Sequence, residues 1–209
     1  MRQLVKRALV RTLPSSLFRI RQGGSQRGVF LTFDDGPHPE HTPRLLDVLR
    51  EHDARATFFV VGERAERHPD IVRRIAAEGH ALGHHSFSHG DPRRTSAMEL
   101  AREAERTHSL LRELTGRSSR LFRPPHGKVT AGKLLLLWRA RQVVVLWNVD
   151  PKDFALPTSE ELRVFFQRHT LDVGDIVLLH DTCPHAAEVI PFVAADIKSR
   201  GLALASIPT

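Results

Sequence analysis

From residue 28 to the end of the chain, short apolar stretches typical of β-strands alternate with longer stretches of helical periodicity. We predict seven strands, at 29–33, 56–61, 81–82, 121–122, 143–147, 176–179 and 202–207. A helical stretch separates each strand from the next. Such alternation with short connections is typical of a parallel sheet covered by helices. The sequence therefore predicts an α/β fold whose sheet is either open or closed into a barrel.

Capping signals predict where several helices begin and end. Thr42 is the expected N-cap of the first helix, with Pro43 at its first position, where the missing N–H costs nothing. Ser96-Ala97-Met98-Glu99 has the form of a capping box at the start of a long helix. Gly116 is expected to end that helix, because glycine readily adopts the left-handed conformation of a helix C-terminus.

The length of 209 residues is sufficient for one domain with a sizeable core. No apolar run approaches the roughly 18 residues that would indicate a membrane span. Cys183 is the single cysteine, so an intrachain disulfide is excluded. These features are typical of a globular protein with one catalytic or binding domain.

Residues 1–27 form a basic N-terminal segment without an acidic residue, and we predict the domain proper at 28–209. The basic residues of the segment are Arg2, Lys6, Arg7, Arg11, Arg19, Arg21 and Arg27. The whole chain has 31 basic and 24 acidic residues, so removing these seven leaves 24 of each sign in the domain. A neutral domain does not support a nucleic-acid-binding surface, and we expect no nucleic-acid partner.

Met1–Leu13 has apolar residues on one side of a helical projection and basic residues mostly on the other. Such a helix suits peripheral contact with an anionic membrane, and a frayed tail is the alternative. Lys6, Arg7 and Arg11 interrupt any secretory apolar region, so there is no clear signal peptide. We therefore expect a cytoplasmic protein or one peripheral to the inner face of the membrane.

Polar groups follow the predicted strands, at the point where each strand ends. They are Asp34, Asp35, His85, His89, Arg123, Asp150, Asp153, His180 and Asp181. In a parallel α/β barrel, the carboxyl ends of the strands form the rim on which active sites are assembled. The sequence therefore predicts that most of these side chains meet in one site, with Asp150 and Asp181 interpreted as loop and turn residues.

His85 and His89 are four residues apart, a spacing that brings both imidazoles to one side of a helical turn. With one carboxylate, they make a set of two histidines and an acid that suits a catalytic zinc site. The same set suits non-haem iron oxygenases, so the ligands alone leave the two classes open. Ser86 occupies the position where a metalloprotease of the His-Glu-x-x-His type has its glutamate.

Five motifs appear in the order found in polysaccharide deacetylases, the NodB-homology family also called carbohydrate esterase family four. They are Thr32-Phe33-Asp34-Asp35-Gly36, His85-Ser86-Phe87-Ser88-His89, Arg123-Pro124-Pro125-His126-Gly127, Asp150-Pro151-Lys152-Asp153-Phe154 and Leu178-Leu179-His180-Asp181. The chain resembles this family over residues 28–207. The resemblance implies a distorted (β/α) barrel, NodB-like and typically of seven parallel strands.

The resemblance also implies a metal site and a base. Asp35, His85 and His89 would hold one divalent metal, with Zn²⁺ expected and Co²⁺ or another divalent ion as the alternative. Asp34 would be the general base, and Arg123 would position it through a charge-assisted pair.

For the other side of the site, the resemblance implies an acid and a substrate surface. His180 would protonate the leaving group, and Asp153 would hold its imidazole. The backbone N–H of His126 would stabilise the oxyanion, while Leu178 would line the acetyl pocket and Phe154 would form an apolar wall. Phe154 stands where the family usually has Trp, which keeps an apolar wall but loses an indole N–H. His126 replaces the usual Tyr, which leaves the backbone role intact and changes the ring available for sugar stacking.

The implied activity is metal-dependent removal of acetyl groups from N-acetylated sugars of a poly- or oligosaccharide, of the chitooligosaccharide, peptidoglycan or exopolysaccharide type. A hydrolysis of this kind needs an activated water, a proton acceptor and a proton donor, which a metal, a carboxylate and an imidazole supply. There is no Gly-x-Ser-x-Gly elbow for a serine nucleophile. The alternatives are an O-acetyl carbohydrate esterase, a non-catalytic carbohydrate-binding barrel and the iron oxygenase.

Overall fold

The computed structural model describes residues 18, 19, 21 and 28–209 and has an α/β architecture. Its strands are β1 (Phe18–Arg19), β2 (Gly28–Asp34), β3 (Thr57–Val60), β4 (Ala81–His84), β5 (Leu121–Phe122), β6 (Val143–Val145), β7 (Ile176–His180) and β8 (Ala203–Leu204). The α-helices are α1 (His41–Glu51), α2 (Gly62–Arg67), α3 (Pro69–Ala77), α4 (Ala97–Thr115), α5 (Ala131–Arg139), α6 (Ser159–Arg168) and α7 (His185–Ser199). Short 3₁₀ turns lie at Pro125–Gly127 and Asp153–Ala155.

All strand pairings are parallel, and the strand order is β1-β6-β5-β4-β3-β2-β7, with β8 pairing beside β2. This arrangement confirms the predicted α/β fold with a distorted, barrel-like parallel sheet. Seven strands form the continuous path, which is the predicted number, but one of them was missed. That strand is β1, which lies in the basic N-terminal segment and pairs with β6.

The two ends of this path, β1 and β7, are not paired with each other in the described part of the chain. The segment after β6 closes the gap instead, because Val149 forms an isolated parallel bridge with Val177. Asn148 adds two side-chain hydrogen bonds, donating to Asp175 Oδ1 at 2.7 Å and accepting from the Ile176 N–H at 2.8 Å. This contact holds β7 against the segment that follows β6.

The strands are buried on both faces, and alternate residues separate an outer core from an inner one. In β2, Val29, Leu31 and Phe33 pack against the helices, while Phe30 packs inside the sheet. The inner cluster consists of Phe30, Phe59, Leu121, Val145, Ile176 and Ile207. Burying a large apolar side chain contributes about 1.5–3 kcal/mol. The polar residues at the carboxyl ends of the strands therefore lie next to this inner apolar cluster.

The predicted capping box at Ser96 and the left-handed Gly116 are both confirmed. The predicted N-cap at Thr42 is wrong, because α1 begins at His41, two residues before the predicted first position Pro43, and no side chain caps it. Thr42 Oγ1 instead donates to Asp181 Oδ2 at 2.6 Å and accepts from the His38 N–H at 2.7 Å. The Thr42 hydroxyl, which the local pattern assigned to the helix end, therefore binds the buried Asp181 carboxylate directly after β7.

The described part of the basic segment lies against the domain. Arg19 Nη1 donates to the Pro208 carbonyl at 2.8 Å, and Arg21 pairs with the buried Asp175 at 3.1 Å. The predicted amphipathic helix at Met1–Leu13 lies outside the described residues. Among the residues that are described, the helices are all too short or too polar to span a bilayer.

Candidate active site

The two adjacent aspartates stand at the end of β2. Asp34 is the last strand residue, on the inner face with Phe30 and Thr32, and it is 3% exposed. Asp35 has a left-handed backbone with φ of 73°, so the chain turns immediately after the strand. Gly36 follows, and any side chain there would collide with the Asp181 carboxylate. The turn thus brings both carboxylates to the same rim, as the sequence predicts.

Asp35, His85 and His89 converge on one point. Asp35 Oδ1 lies 3.5 Å from His85 Nε2 and 3.3 Å from His89 Nε2, and one ligand atom of each residue lies within 4.8 Å of the others. Asp35 Oδ1 is buried without a hydrogen-bond partner. A buried anionic oxygen facing two imidazole nitrogens is stabilised by a cation. The donor set therefore fits a divalent metal.

The protonation of His85 supports this interpretation. Its Nδ1 lies 2.7 Å from the Arg123 carbonyl, so this nitrogen carries the proton and Nε2 presents its lone pair to Asp35 and His89. Burial lowers the pKa of His85 to about 3, which keeps the ring neutral. Burial also lowers the pKa of His89. Neutral imidazoles are the form that binds a metal.

The two histidines converge by a route that differs from the prediction. His85 and His89 lie in a loop after β4 rather than on a helical turn, because Ser86 and His89 have left-handed φ values of 63° and 55°. The Ser86 hydroxyl accepts a hydrogen bond from the His89 N–H at 3.1 Å and closes this turn. The predicted proximity is therefore observed, but the predicted helical geometry is wrong.

Arg123 is fully buried and connects Asp34 to the sheet. Its Nη1 donates to Asp34 Oδ1 and to Thr32 Oγ1, both at 2.7 Å. Its Nε and Nη2 donate to the carbonyls of Val145 and Leu146. Burial raises the pKa of Asp34, while the charge and hydrogen bond of Arg123 oppose that rise. This environment moves the Asp34 carboxyl towards the pKa range useful for a general base.

His180 is held by Asp153 at the end of β7. Asp153 Oδ1 lies 2.8 Å from His180 Nδ1, and its Oδ2 accepts from the His180 N–H at 2.7 Å. Burial alone would lower the pKa of His180. The hydrogen bond and charge of Asp153, together with the charges of Asp34 and Asp35, outweigh this effect and raise the pKa to about 9. Asp34 and His180 are register partners on β2 and β7. A buried carboxylate and a protonated imidazole therefore lie on neighbouring strands.

The three predicted substrate-binding residues border this site. Leu178 is buried two residues before His180 on the same face of β7. Phe154 is 60% exposed, and its ring meets the His180 ring edge-on at 5.1 Å. The exposed His126 ring lies 5.0 Å from the His89 ring, on a residue with a left-handed φ of 56°. The structure thus brings all ten predicted site residues to one end of the sheet.

Sequence reasoning missed some of the polar residues that support this site. Asp181, interpreted as a turn residue, is 1% exposed, and burial raises its pKa to about 7. Thr32 bridges strands by donating to the Val177 carbonyl at 2.6 Å while accepting from Arg123. No local pattern distinguishes Thr32 from any β-branched strand residue. Asp150 accepts from the Trp147 indole and the Lys152 N–H, which agrees with the predicted loop role.

Residues 21–142 match the family model described as polysaccharide deacetylase. The chain belongs to the polysaccharide deacetylase family. A peptidoglycan-N-acetylglucosamine deacetylase of Bacillus cereus is 31% identical over 185 residues, which cover 87% of this chain and 67% of the relative. A chitooligosaccharide deacetylase of Azorhizobium caulinodans is 33% identical over 202 residues, covering 88% of this chain and 94% of the relative.

The deacetylase fold is also found in solved structures. A crystal structure of a peptidoglycan N-acetylglucosamine deacetylase superposes with a TM-score of 0.85 at 29% identity. The superposition covers 91% of each chain. The predicted membership of the family and the predicted NodB-like fold are therefore confirmed.

Proposed function

We propose that this polysaccharide deacetylase hydrolyses the N-acetyl group of an N-acetylated sugar within a poly- or oligosaccharide. The observation that carries the proposal is the pairing of Asp34 with His180 across β2 and β7, beside the Asp35, His85 and His89 donor set. A base and an acid beside one metal site are what amide hydrolysis requires.

The bound metal would activate a water molecule and polarise the acetyl carbonyl. Asp34 takes one proton from that water, and Arg123 holds the carboxylate in place as the proton arrives. The water oxygen becomes bonded to the acetyl carbon, and the backbone N–H of His126 supports the developing oxyanion. His180 gives its Nε2 proton to the sugar nitrogen as the C–N bond breaks. The products are a free amino sugar and acetic acid, which ionises to acetate in water. Asp34 then loses the proton it took and His180 regains the one it gave, which restores the starting state.

The substrate we propose contains N-acetylglucosamine, which is the sugar named for the Bacillus cereus relative. The exposed Phe154 ring beside His180 offers an apolar face for a sugar ring next to the scissile bond. Leu178, buried below His180, is proposed to contact the acetyl methyl group. An O-acetyl carbohydrate ester would use the same residues, since only the leaving atom differs.

We propose zinc as the metal, with cobalt as a substitute, because two neutral imidazoles and one carboxylate are a common catalytic zinc set. The same ligands suit a non-haem iron oxygenase. The buried Asp34–Arg123 pair and the Asp153–His180 pair favour hydrolysis, since oxygen activation has no need of this acid and base. They equally disfavour a barrel that only binds carbohydrate.

The test is an acetate-release assay on chitooligosaccharides, peptidoglycan and acetylated xylan, with the protein stripped of metal and reloaded with zinc or cobalt. We expect release from the N-acetylated substrates that chelation abolishes and either metal restores. Release from acetylated xylan alone would make the protein an O-acetyl esterase. Full activity in a verified metal-free preparation would falsify the metal-dependent mechanism, and iron-dependent oxygen consumption without acetate would support the oxygenase.

We also propose that the basic N-terminal segment, residues 1–27, contacts anionic membranes, which would place the enzyme at the inner face of the membrane. The support is its excess of positive charge over a neutral domain. Deleting residues 1–17, which keeps β1, should weaken binding to vesicles rich in phosphatidylglycerol and leave turnover of soluble oligosaccharides unchanged. If the full chain fails to bind these vesicles at low salt, the membrane contact is wrong.

A further inference from the structure

The three residues between the two histidine ligands, Ser86, Phe87 and Ser88, form a turn that the neighbouring helices hold. The Ser86 and Phe87 carbonyls accept hydrogen bonds from the N–H groups of Gly62 and Glu63, at 3.1 and 3.0 Å, at the start of α2. The Phe87 ring is buried, and the Arg106 guanidinium of α4 lies 3.3 Å from its centroid. The turn thus depends on contacts distant in sequence.

The N–H side of the same turn is satisfied by one carboxylate, that of Glu103 on α4. Glu103 Oε2 accepts from the N–H groups of Phe87 and Ser88, at 3.2 and 3.4 Å. Glu103 Oε1 accepts from the Ser88 hydroxyl at 2.7 Å. A single half-buried side chain therefore receives three hydrogen bonds from two consecutive residues of the turn.

This turn has a conformation that most side chains avoid. Ser86 and His89 both have left-handed φ values, and such residues persist only where the surroundings hold them. The His89 ring reaches Asp35 only because the chain reverses between these two positions. Glu103 binds the two residues immediately before His89, so its carboxylate limits how far that ring can move.

We propose that Glu103 is a positioning residue for the metal site, which acts by holding Phe87 and Ser88 and thereby fixing His89 opposite Asp35. The inference rests on the proposed metal site and adds a residue outside the five motifs. Residues that orient metal ligands from outside typically change metal affinity by about 10–100-fold when they are replaced. Glu103 should therefore influence how tightly the metal binds more than how fast a loaded site turns over.

The test compares Glu103→Ala and Glu103→Gln with Glu113→Ala, an exposed glutamate on the same helix. The stripped proteins are titrated with Co²⁺ against a competing chelator, and the visible absorption of the bound cobalt reports its geometry. We expect Glu103→Ala to raise the Co²⁺ dissociation constant about tenfold or more and to change the spectrum. Glu103→Gln keeps an acceptor oxygen for the N–H groups and should lose less, and Glu113→Ala should match the wild type.

Wild-type cobalt affinity and spectrum in Glu103→Ala would overturn the proposal, even if its thermal stability fell. If Glu103→Ala does not fold, the proposal is tested with Ser88→Ala, which removes only the hydroxyl contact to Glu103. We expect it to raise the dissociation constant measurably, and an unchanged value would overturn the proposal. A wild type that binds Co²⁺ but releases no acetate would overturn the proposed function and leave this inference standing.

Discussion

Arg123 Nη1 lies 2.7 Å from Asp34 Oδ1, in a pair where neither side chain is more than 4% exposed. The guanidinium also donates hydrogen bonds to Thr32 Oγ1 and to the carbonyls of Val145 and Leu146. Arg123, which follows β5 directly, therefore links Asp34 at the end of β2 to β6 and the residue after it. Removing either partner would leave a buried charge without compensation.

We predict that Arg123→Gln moves the acidic limb of the kcat/KM profile to higher pH. Arg123 opposes the rise that burial causes in the pKa of Asp34, so its loss should raise that pKa further and delay formation of the active carboxylate. Loss of one partner of a buried pair should also lower the free energy of unfolding by about 3–5 kcal/mol. Denaturant unfolding and a pH–rate profile measure both effects.

Arg120→Gln is the matched control, because Arg120 pairs with Glu105 near the surface at 2.7 Å. Exposed pairs of this kind contribute about 0–1 kcal/mol. An acidic limb that stays at the wild-type position in Arg123→Gln would show that Arg123 does not tune the base.

We predict that Asp34→Asn and Asp35→Asn fail for different reasons. Asp35→Asn replaces an anionic ligand by a neutral amide and should lower the metal content after dialysis. Asp34→Asn removes the proton acceptor and should keep its metal while losing about 10²–10⁴-fold in rate. Metal analysis and acetate release at saturating zinc distinguish them. If Asp34→Asn loses the metal and Asp35→Asn keeps it, the two roles are exchanged.

We predict that Asp153→Asn moves the alkaline limb of the kcat/KM profile to lower pH. Burial by itself lowers the pKa of His180, and Asp153 reverses this effect to give a pKa of about 9. Without that charge the imidazole should lose its proton at lower pH, and activity that needs a protonated acid should fall with it. Asp150→Asn, in the same loop, should leave the limb in place. If the alkaline limb of Asp153→Asn stayed at the wild-type pH, His180 would not be the group that donates the proton.

We predict that His80 makes the protein sensitive to mild acid. His80 is 3% exposed and accepts a hydrogen bond from the Ala56 N–H, and burial lowers its pKa from 6.5 to about 4. The folded state therefore binds the proton less readily than the unfolded state. The contribution of His80 to the free energy of unfolding is complete above pH 6.5 and falls as the pH drops towards 4, by up to about 1.4 kcal/mol per pH unit.

His80→Asn keeps an acceptor for the Ala56 N–H and should reduce the slope by the contribution of His80. Urea unfolding between pH 7.5 and 4.5, in the presence of a chelator, measures the slope. His52→Asn, at an exposed position, should retain the slope of the wild type. Equal slopes in all three proteins would mean that His80 does not contribute.

The sequence predicted the fold class because buried strands and amphipathic helices have different apolar periods, and both were regular from residue 28 onward. It also predicted which polar residues meet, since the carboxyl ends of parallel strands share one rim. The reason for the His85–His89 proximity was wrong. A four-residue spacing fits a helical turn. Ser86 and His89 instead adopt left-handed conformations, which no residue pattern predicts.

Contacts between distant segments account for the rest. Thr42 has the pattern of a helix cap, but it donates to Asp181, which lies 139 residues away. In the sequence, Glu103 has the pattern of an ordinary glutamate on the polar side of a helix. Its contact with the Ser88 hydroxyl is formed only in the folded protein. The pairing of β1 involves two residues, too few to show a strand period. These features depend on packing and could not be read from local sequence.

The pairing of Phe18 with Val144 and of Arg19 with Val145 also has a practical consequence. A protein shortened to begin at residue 28 would leave β6 as a bare edge, with the apolar sequence Val143-Val144-Val145-Leu146 and unpaired backbone groups. Unprotected apolar edges of this kind pair with other copies of the chain and aggregate. Low solubility of such a shortened protein would therefore reflect an uncovered strand rather than a damaged active site.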